Sequence, residues 1–316
     1  AALQAFNDGE VDGIGQVSED ILELVLAQPD LNLHSVRSPS TSIVFLNTQH
    51  PVKTYLGEKD FRQALMMAVD RERMIGDLLG GQGVMASGPI LPGHWASATN
   101  LEPLPFDVAA AEELLAGLGW EVPAGIRRGS AEYVRTDGED QLSLQLTHID
   151  DPQYVEVAQM LQSSWQNVGI AVELVPLSAP TLLSDVLIPR KFDAVLTELD
   201  ASQVADPDPY SFWHDSQAET GQNYSGFEDR NISIWLEQAR ITTNKERRQE
   251  LYRDFQFRFR DQTPALMLYH PVYTYAISSD VQGASIGPVF DPSDRFANIG
   301  DWFLLIRRGF SSAEDS

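Results

Sequence analysis

The 316 residues contain no cysteine, which excludes disulfides, zinc-thiolate sites, iron–sulfur clusters and thiol nucleophiles. Basic residues are scarce. Lys and Arg number 22 against 46 Asp and Glu, and the formal charge of −24 repels nucleic acid and anionic membrane surfaces at long range. An acidic surface can draw cationic ligands, and it also serves simply to keep a chain soluble. No apolar run approaches the roughly 18 residues of a membrane helix, and no charged-then-apolar signal segment stands at the start. Catalytic signatures are missing too. There is no Gly-x-Ser-x-Gly elbow and no zinc signature, and Gly80-Gly81-Gln82-Gly83 follows a helical pattern and lacks a Lys-Ser/Thr end, so it reads as a helix stop. The histidines, His34, His50, His94, His148, His214 and His270, show no paired spacing on one helix face, so neither a metal site nor a cofactor is expected.

What is present suits about two globular domains, with 43% hydrophobic residues to build their cores. The chain opens inside a helical pattern, which leads us to expect a piece of a longer protein. A strand over 11–15, a helix over 19–27 capped by Ser18, and strands over 31–36 and 42–46 follow. The polar stretch 47–51 breaks this rhythm and reads as a crossover. Asp60 opens a long amphipathic helix to residue 79, residues 86–105 form a proline-rich loop, and Asp107 starts another helix. From residue 142 the pattern is β-α-β-α-β: strands over 142–149, 170–177 and 193–199, helices over 154–167 and 180–187. That alternation predicts a mostly parallel sheet whose ligands sit beyond the carboxyl ends of its strands. The loop over 200–222 is therefore the first place to look, and it is long for a mere connection. Helices over 232–241 and 245–261, then strands over 265–268, 272–277 and 302–306, complete the chain. The tail 311–316 reads as frayed.

The string Phe61-Arg62-Gln63-Ala64-Leu65-Met66-Met67-Ala68-Val69-Asp70-Arg71 resembles the hallmark helix of family 5 solute-binding proteins, the oligopeptide-, dipeptide- and nickel-binding subunits of ABC importers. Gly9-Glu10-Val11-Asp12, Asn47, Phe192-Asp193, Asp208-Pro209, Gly221-Gln222-Asn223-Tyr224-Ser225-Gly226-Phe227 and residues 247–252 fall in that family's order. The resemblance implies a type II periplasmic-binding-protein-like α/β fold with one complete lobe plus part of the other. Residues 1–50 and 276–316 would belong to lobe I and 51–275 to lobe II, with hinges near 48–51 and 273–278. It further implies an extracytoplasmic monomer, without enzymatic activity, that delivers a peptide or similar solute to ABC permease subunits. The membrane would be touched only through a lipid anchor outside this chain.

In peptide-binding members an aspartate in the loop after the third lobe II strand meets the ligand's α-amino group. Matching Asp208-Pro209 to the family's Asp-Pro puts that position on Ala205, and a shift of one residue puts it on Asp206. The family's ligand-carboxylate arginine falls on Leu196. Both departures leave room for a non-peptide solute such as an oligosaccharide, an opine or a metal chelate. Asp206 and Asp208 offer carboxylates to a cationic group, and Asp-Pro-Asp-Pro is equally turn chemistry. Tyr210, Trp213 and Tyr224 are candidate aromatic faces for the ligand, with Trp213 foremost, and core packing is the competing role for each, as for Phe212. Gln222 and Asn223 suit peptide groups or sugar hydroxyls, or the tying of their own loop. His214 beside Asp215 leaves nickel open. A carboxylate hydrolase using Asp206 and Asp208 is the distant alternative, since residues two apart rarely span a scissile bond.

Overall fold

The computed structural model describes residues 2–200, 206–285, 287 and 292–305, and it divides into two compact units: Ala1–Pro39 with Pro271–Ser316, and Ser40–His270. The chain passes between them at Pro39–Ser40 and at His270–Pro271. Helix α1 (Ala2–Asn7), strand β1 (Gly13–Ile14), helix α2 (Glu19–Leu26) and strand β2 (Leu31–Arg37) start the first unit. Ser18 occupies the N-cap of α2 with extended backbone, but its hydroxyl makes no capping bond, contrary to expectation.

The second unit opens with β3 (Ser40–Leu46), all seven residues of which are buried. The helix expected over 60–79 is two helices, α3 (Lys59–Met67) and α4 (Arg71–Leu78). The reason is local: Asp70 turns to extended backbone and its carboxylate accepts from the Arg73 amide, capping a new helix. Strand β4 (Gly83–Met85), α5 (Val108–Gly117), β5 (Ser143–Ile149), α6 (Pro152–Asn167), β6 (Ala171–Leu177) and β7 (Ala194–Asp200) follow. The helix expected over 180–187 is a short turn, Ala179–Thr181, continuing into a π-helical turn, Leu182–Leu187. Helices α7 (Arg230–Ile241) and α8 (Lys245–Gln262) precede β8 (Ala265–Ser278), one strand where two were expected. Its first half belongs to the second unit and its second half to the first. The last strand is Phe303–Leu304, and Ile306, where it was expected to end, lies outside the described residues, as do residues 311–316.

In the second unit the sheet runs β8-β3-β7-β5-β6, with β4 also against β8. The expected parallel order holds for β5, β6 and β7, whereas β3 pairs antiparallel with both β7 and β8. Strand alternation then builds a core on each face. Val44, Leu46, Leu144, Leu146 and Leu196 pack with α3, α5 and α6, while Ile43, Phe45 and Val195 pack with α7 and α8. In the first unit β8 pairs antiparallel with β1 and β2, and Gly13 is required, because a Cβ there would stand 2.8 Å from the Ala276 carbonyl oxygen. A small core of Ile14, Val17, Val25, Leu31 and Ala276 lies beneath.

The family-like string on α3 and α4 is structural. Arg62, 1% exposed, donates to the carbonyls of Thr263 (2.9 Å), Gln262 (2.8 Å), Gly57 (2.6 Å) and Leu56 (3.2 Å), closing the carboxyl end of α8. Burial pulls its pKa down to about 10, so it stays charged at neutral pH. Arg71 likewise donates to Ala86, Met267 and Leu104, fastening the proline-rich loop to β8. The stretch 47–51, expected as a crossover, lies inside the second unit: Asn47 donates to the Phe192 carbonyl and Thr48 to the Ser225 carbonyl. Among the described residues no helix is long and apolar enough to cross a membrane.

One ion pair ties these elements to pH. Lys59 donates to Asp261 at 2.7 Å, and that bond, foremost, holds the Asp261 carboxyl below its ordinary 3.8. A depressed carboxyl adds stability above its unfolded pKa and loses it as pH falls through the folded value. Asp261→Asn should therefore lower stability at neutral pH by less than about 1 kcal/mol, the pair being well exposed, and change nothing in strong acid. Denaturant unfolding at both pH values tests this, and a difference that persists in acid would contradict it.

Candidate functional site

The loop after β7 carries the sequence-predicted residues, and arginines fix most of it. Ala205 lies outside the described residues. Asp206 pairs with Arg248 of α8 at 2.7 Å. Asp208 receives Arg240 of α7 on both oxygens, at 3.0 and 2.9 Å, and its Oδ1 also accepts from the Tyr210 amide. Both carboxylates thus have cationic partners of their own, and Asp208 also makes the local backbone bond of a turn. The Arg240 guanidinium lies 3.7 Å from the centre of the Tyr210 ring, and that ring stacks on His214 with centroids 4.0 Å apart. His214 in turn lies 3.1 Å from Glu237 and accepts from the Ser216 amide. Among the described residues no group of three His, Asp or Glu side chains is placed to hold a metal.

Trp213 corrects the expectation placed on it. The short helix Tyr210–Trp213 turns its indole inward, 1% exposed, with Phe259 edge-on at 4.6 Å and Phe45 at 6.1 Å. It is core, and its faces are spent on other aromatics. Phe212 packs against the same core, half-buried. Asn223 is fully buried and donates to the carbonyls of His214 and Phe227, so it ties its own loop. Tyr224 is half-buried, edge-on to Phe45 at 5.6 Å, and burial raises its phenol pKa. Gln222 is exposed. Beneath them Arg190, in the left-handed region at φ 54°, donates to the carbonyls of Gln217, Glu219 and Gly221. Leu196 is wholly buried in the core under α6.

Sequence reasoning missed a second group at the carboxyl ends of the strands. Ala194, Leu196 and Glu198 share one face of β7 by alternation, the first two buried and Glu198 exposed. Tyr154, in the first turn of α6, donates its hydroxyl to Glu198 Oε2 at 3.1 Å. Ser42 of β3 is the cross-strand partner of Glu198, and Tyr269 of β8 is that of Ser42. The available signal was a carboxylate in phase with the core residues of its strand.

Residues 1–222 match the family described as bacterial extracellular solute-binding proteins, family 5 Middle. The chain belongs to this family. Its relatives include the oligopeptide-binding protein AppA of Bacillus subtilis, 24% identical over 86% of this chain and 49% of its own length. The dipeptide-binding protein of Escherichia coli is 23% identical over 84% of this chain and 47% of its own. The chain thus spans about half the length of these curated family 5 relatives. The fold is also that of solved family structures. That of AppA from Bacillus subtilis in complex with a nonapeptide superposes with a TM-score of 0.76 at 20% identity, covering 96% of this chain and 58% of that one. NikA from Brucella suis in complex with Fe(III)-EDTA gives 0.78 at 23% identity, covering 93% and 58%.

Proposed function

We propose that this family 5 chain is part of a substrate-binding subunit that captures a peptide, or a solute of similar size, outside the cytoplasm and hands it to the permease of an ABC importer. Membership of the family over residues 1–222 carries the reading. The second unit, Ser40–His270, would be the complete lobe and the first unit part of the other, with hinge motion at Pro39–Ser40 and His270–Pro271. The solute would meet the carboxyl ends of β5, β6 and β7, where open α/β sheets receive ligands. Binding would come from burial of solute surface with a few polar groups fixing orientation, and no bond of the solute would be made or broken.

Equilibrium dialysis of the full-length protein against mixed peptide and oligosaccharide libraries, with retained solutes identified by mass spectrometry, tests this. Retention of peptides in unaltered form is expected. Conversion of the solute, or retention of oligosaccharides alone, would overturn it.

A further inference from the structure

We propose that His214 is an acid-operated switch at the start of the segment 214–223: its imidazole holds the Ser216 amide when neutral and releases it when charged. The inference does not depend on which solute is captured.

The geometry fixes the neutral form. His214 is 6% exposed and occupies the N-cap of a single 3-10 turn, Asp215–Gln217. Its Nδ1 accepts from the Ser216 amide at 3.0 Å, so that nitrogen carries no proton. The ring proton therefore sits on Nε2, which donates to Glu237 Oε1 of α7 at 3.1 Å. A second proton, taken from solvent, can enter only at Nδ1, on the lone pair that the Ser216 N–H already uses. Imidazolium is a donor at both nitrogens, so two N–H groups would then face each other and the cap is lost. The charged ring has partners in place. Ser216 Oγ lies 2.9 Å from Nδ1 and can accept the new N–H, while Glu237 becomes the ion-pair partner of Nε2. Protonation thus moves the hold of His214 from the loop backbone to α7.

The other charges around the ring are already engaged. Tyr210 stacks on His214 at 4.0 Å, and Arg240 of α7, which lies over that same phenol ring, is taken by Asp208. Asp215 accepts from the Asp229 amide, and Asp229 receives Arg258 of α8. Glu237 is left as the carboxylate that meets the imidazolium. Further along, Asn223 donates to the His214 carbonyl and Arg190 to those of Gln217, Glu219 and Gly221. Loss of the cap therefore loosens the front of the segment and leaves its far end tethered.

The test is site-resolved amide hydrogen exchange of the full-length protein at about pH 7.5 and about pH 5, the span over which imidazoles change charge. Rates are corrected for intrinsic exchange, and wild type, His214→Asn and Glu237→Gln are compared. In wild type the Ser216 amide should lose about fivefold in protection at the lower pH, the ordinary worth of a cap. His214→Asn, whose side chain caps without titrating, should keep its protection at both. His50, whose Nδ1 likewise accepts from the Val52 and Lys53 amides, is intact in that variant, so the comparison reports on His214 alone. Glu237→Gln should match wild type at the higher pH and keep more protection at the lower, because the charged ring has lost its carboxylate. Glu237 is exposed, so this variant should fold whether or not His214→Asn does. An unchanged Ser216 amide in wild type would overturn the switch, and so would a loss equal to that of wild type in either variant.

Discussion

Trp213→Ala is expected to lower the unfolding free energy by about 3–5 kcal/mol, the usual cost of removing a fully buried aromatic. The indole is 1% exposed and sits between Phe259 and Phe45, so truncation leaves a cavity bounded by α8 and β3 that neighbouring side chains fill only in part. Denaturant unfolding should show a lower midpoint with an unchanged slope, since the surface exposed on unfolding barely changes. Trp213→Phe, which keeps a ring against Phe259, should recover part of the loss. An unchanged midpoint together with weakened solute binding would mean that the indole faces the ligand after all.

Arg62→Ala should cost about 3 kcal/mol or more, because it strips buried carbonyl oxygens of their donors at the end of α8. The four acceptors come from two places, the turn before α3 (Leu56 and Gly57) and the end of α8 (Gln262 and Thr263), so one guanidinium joins segments some 200 residues apart. Thr263 itself is in the left-handed region at φ 48°, where a non-glycine residue is held at some cost and needs such support. Arg62→Lys should restore less than half, since an ammonium cannot reproduce a planar fork. A loss below about 1 kcal/mol, read from the same unfolding curves, would show that the carbonyls find other donors.

These two residues show what was legible in the sequence. The β-α-β-α-β rhythm after residue 142 gave the parallel strands β5, β6 and β7, because apolar runs at strand and helix spacing state their own period. The family-like string around Arg62 was equally plain, but its role was not: the carbonyls it serves at Gln262 and Thr263 are remote in sequence. The break between α3 and α4 was missed because the apolar stripe runs on past Asp70, whose capping of Arg73 competes with it. For the site, the general place was readable and the individual roles were not. A tryptophan in a long loop suggests a ligand face until Phe45 and Phe259 are seen to enclose it. Asp206 and Asp208 look free until α7 and α8 supply Arg240 and Arg248. Glu198 was passed over because, read locally, it is only the polar end of an apolar strand, and its oriented state depends on Tyr154 from another element.

Solute capture without chemistry is tested most directly by calorimetric titration of the full-length protein with a single tripeptide taken from those retained in dialysis, followed by mass spectrometry of the recovered peptide. A saturable one-to-one isotherm with the peptide recovered intact is expected. Steady heat from continued turnover, with cleaved peptide in the recovered solution, would contradict it.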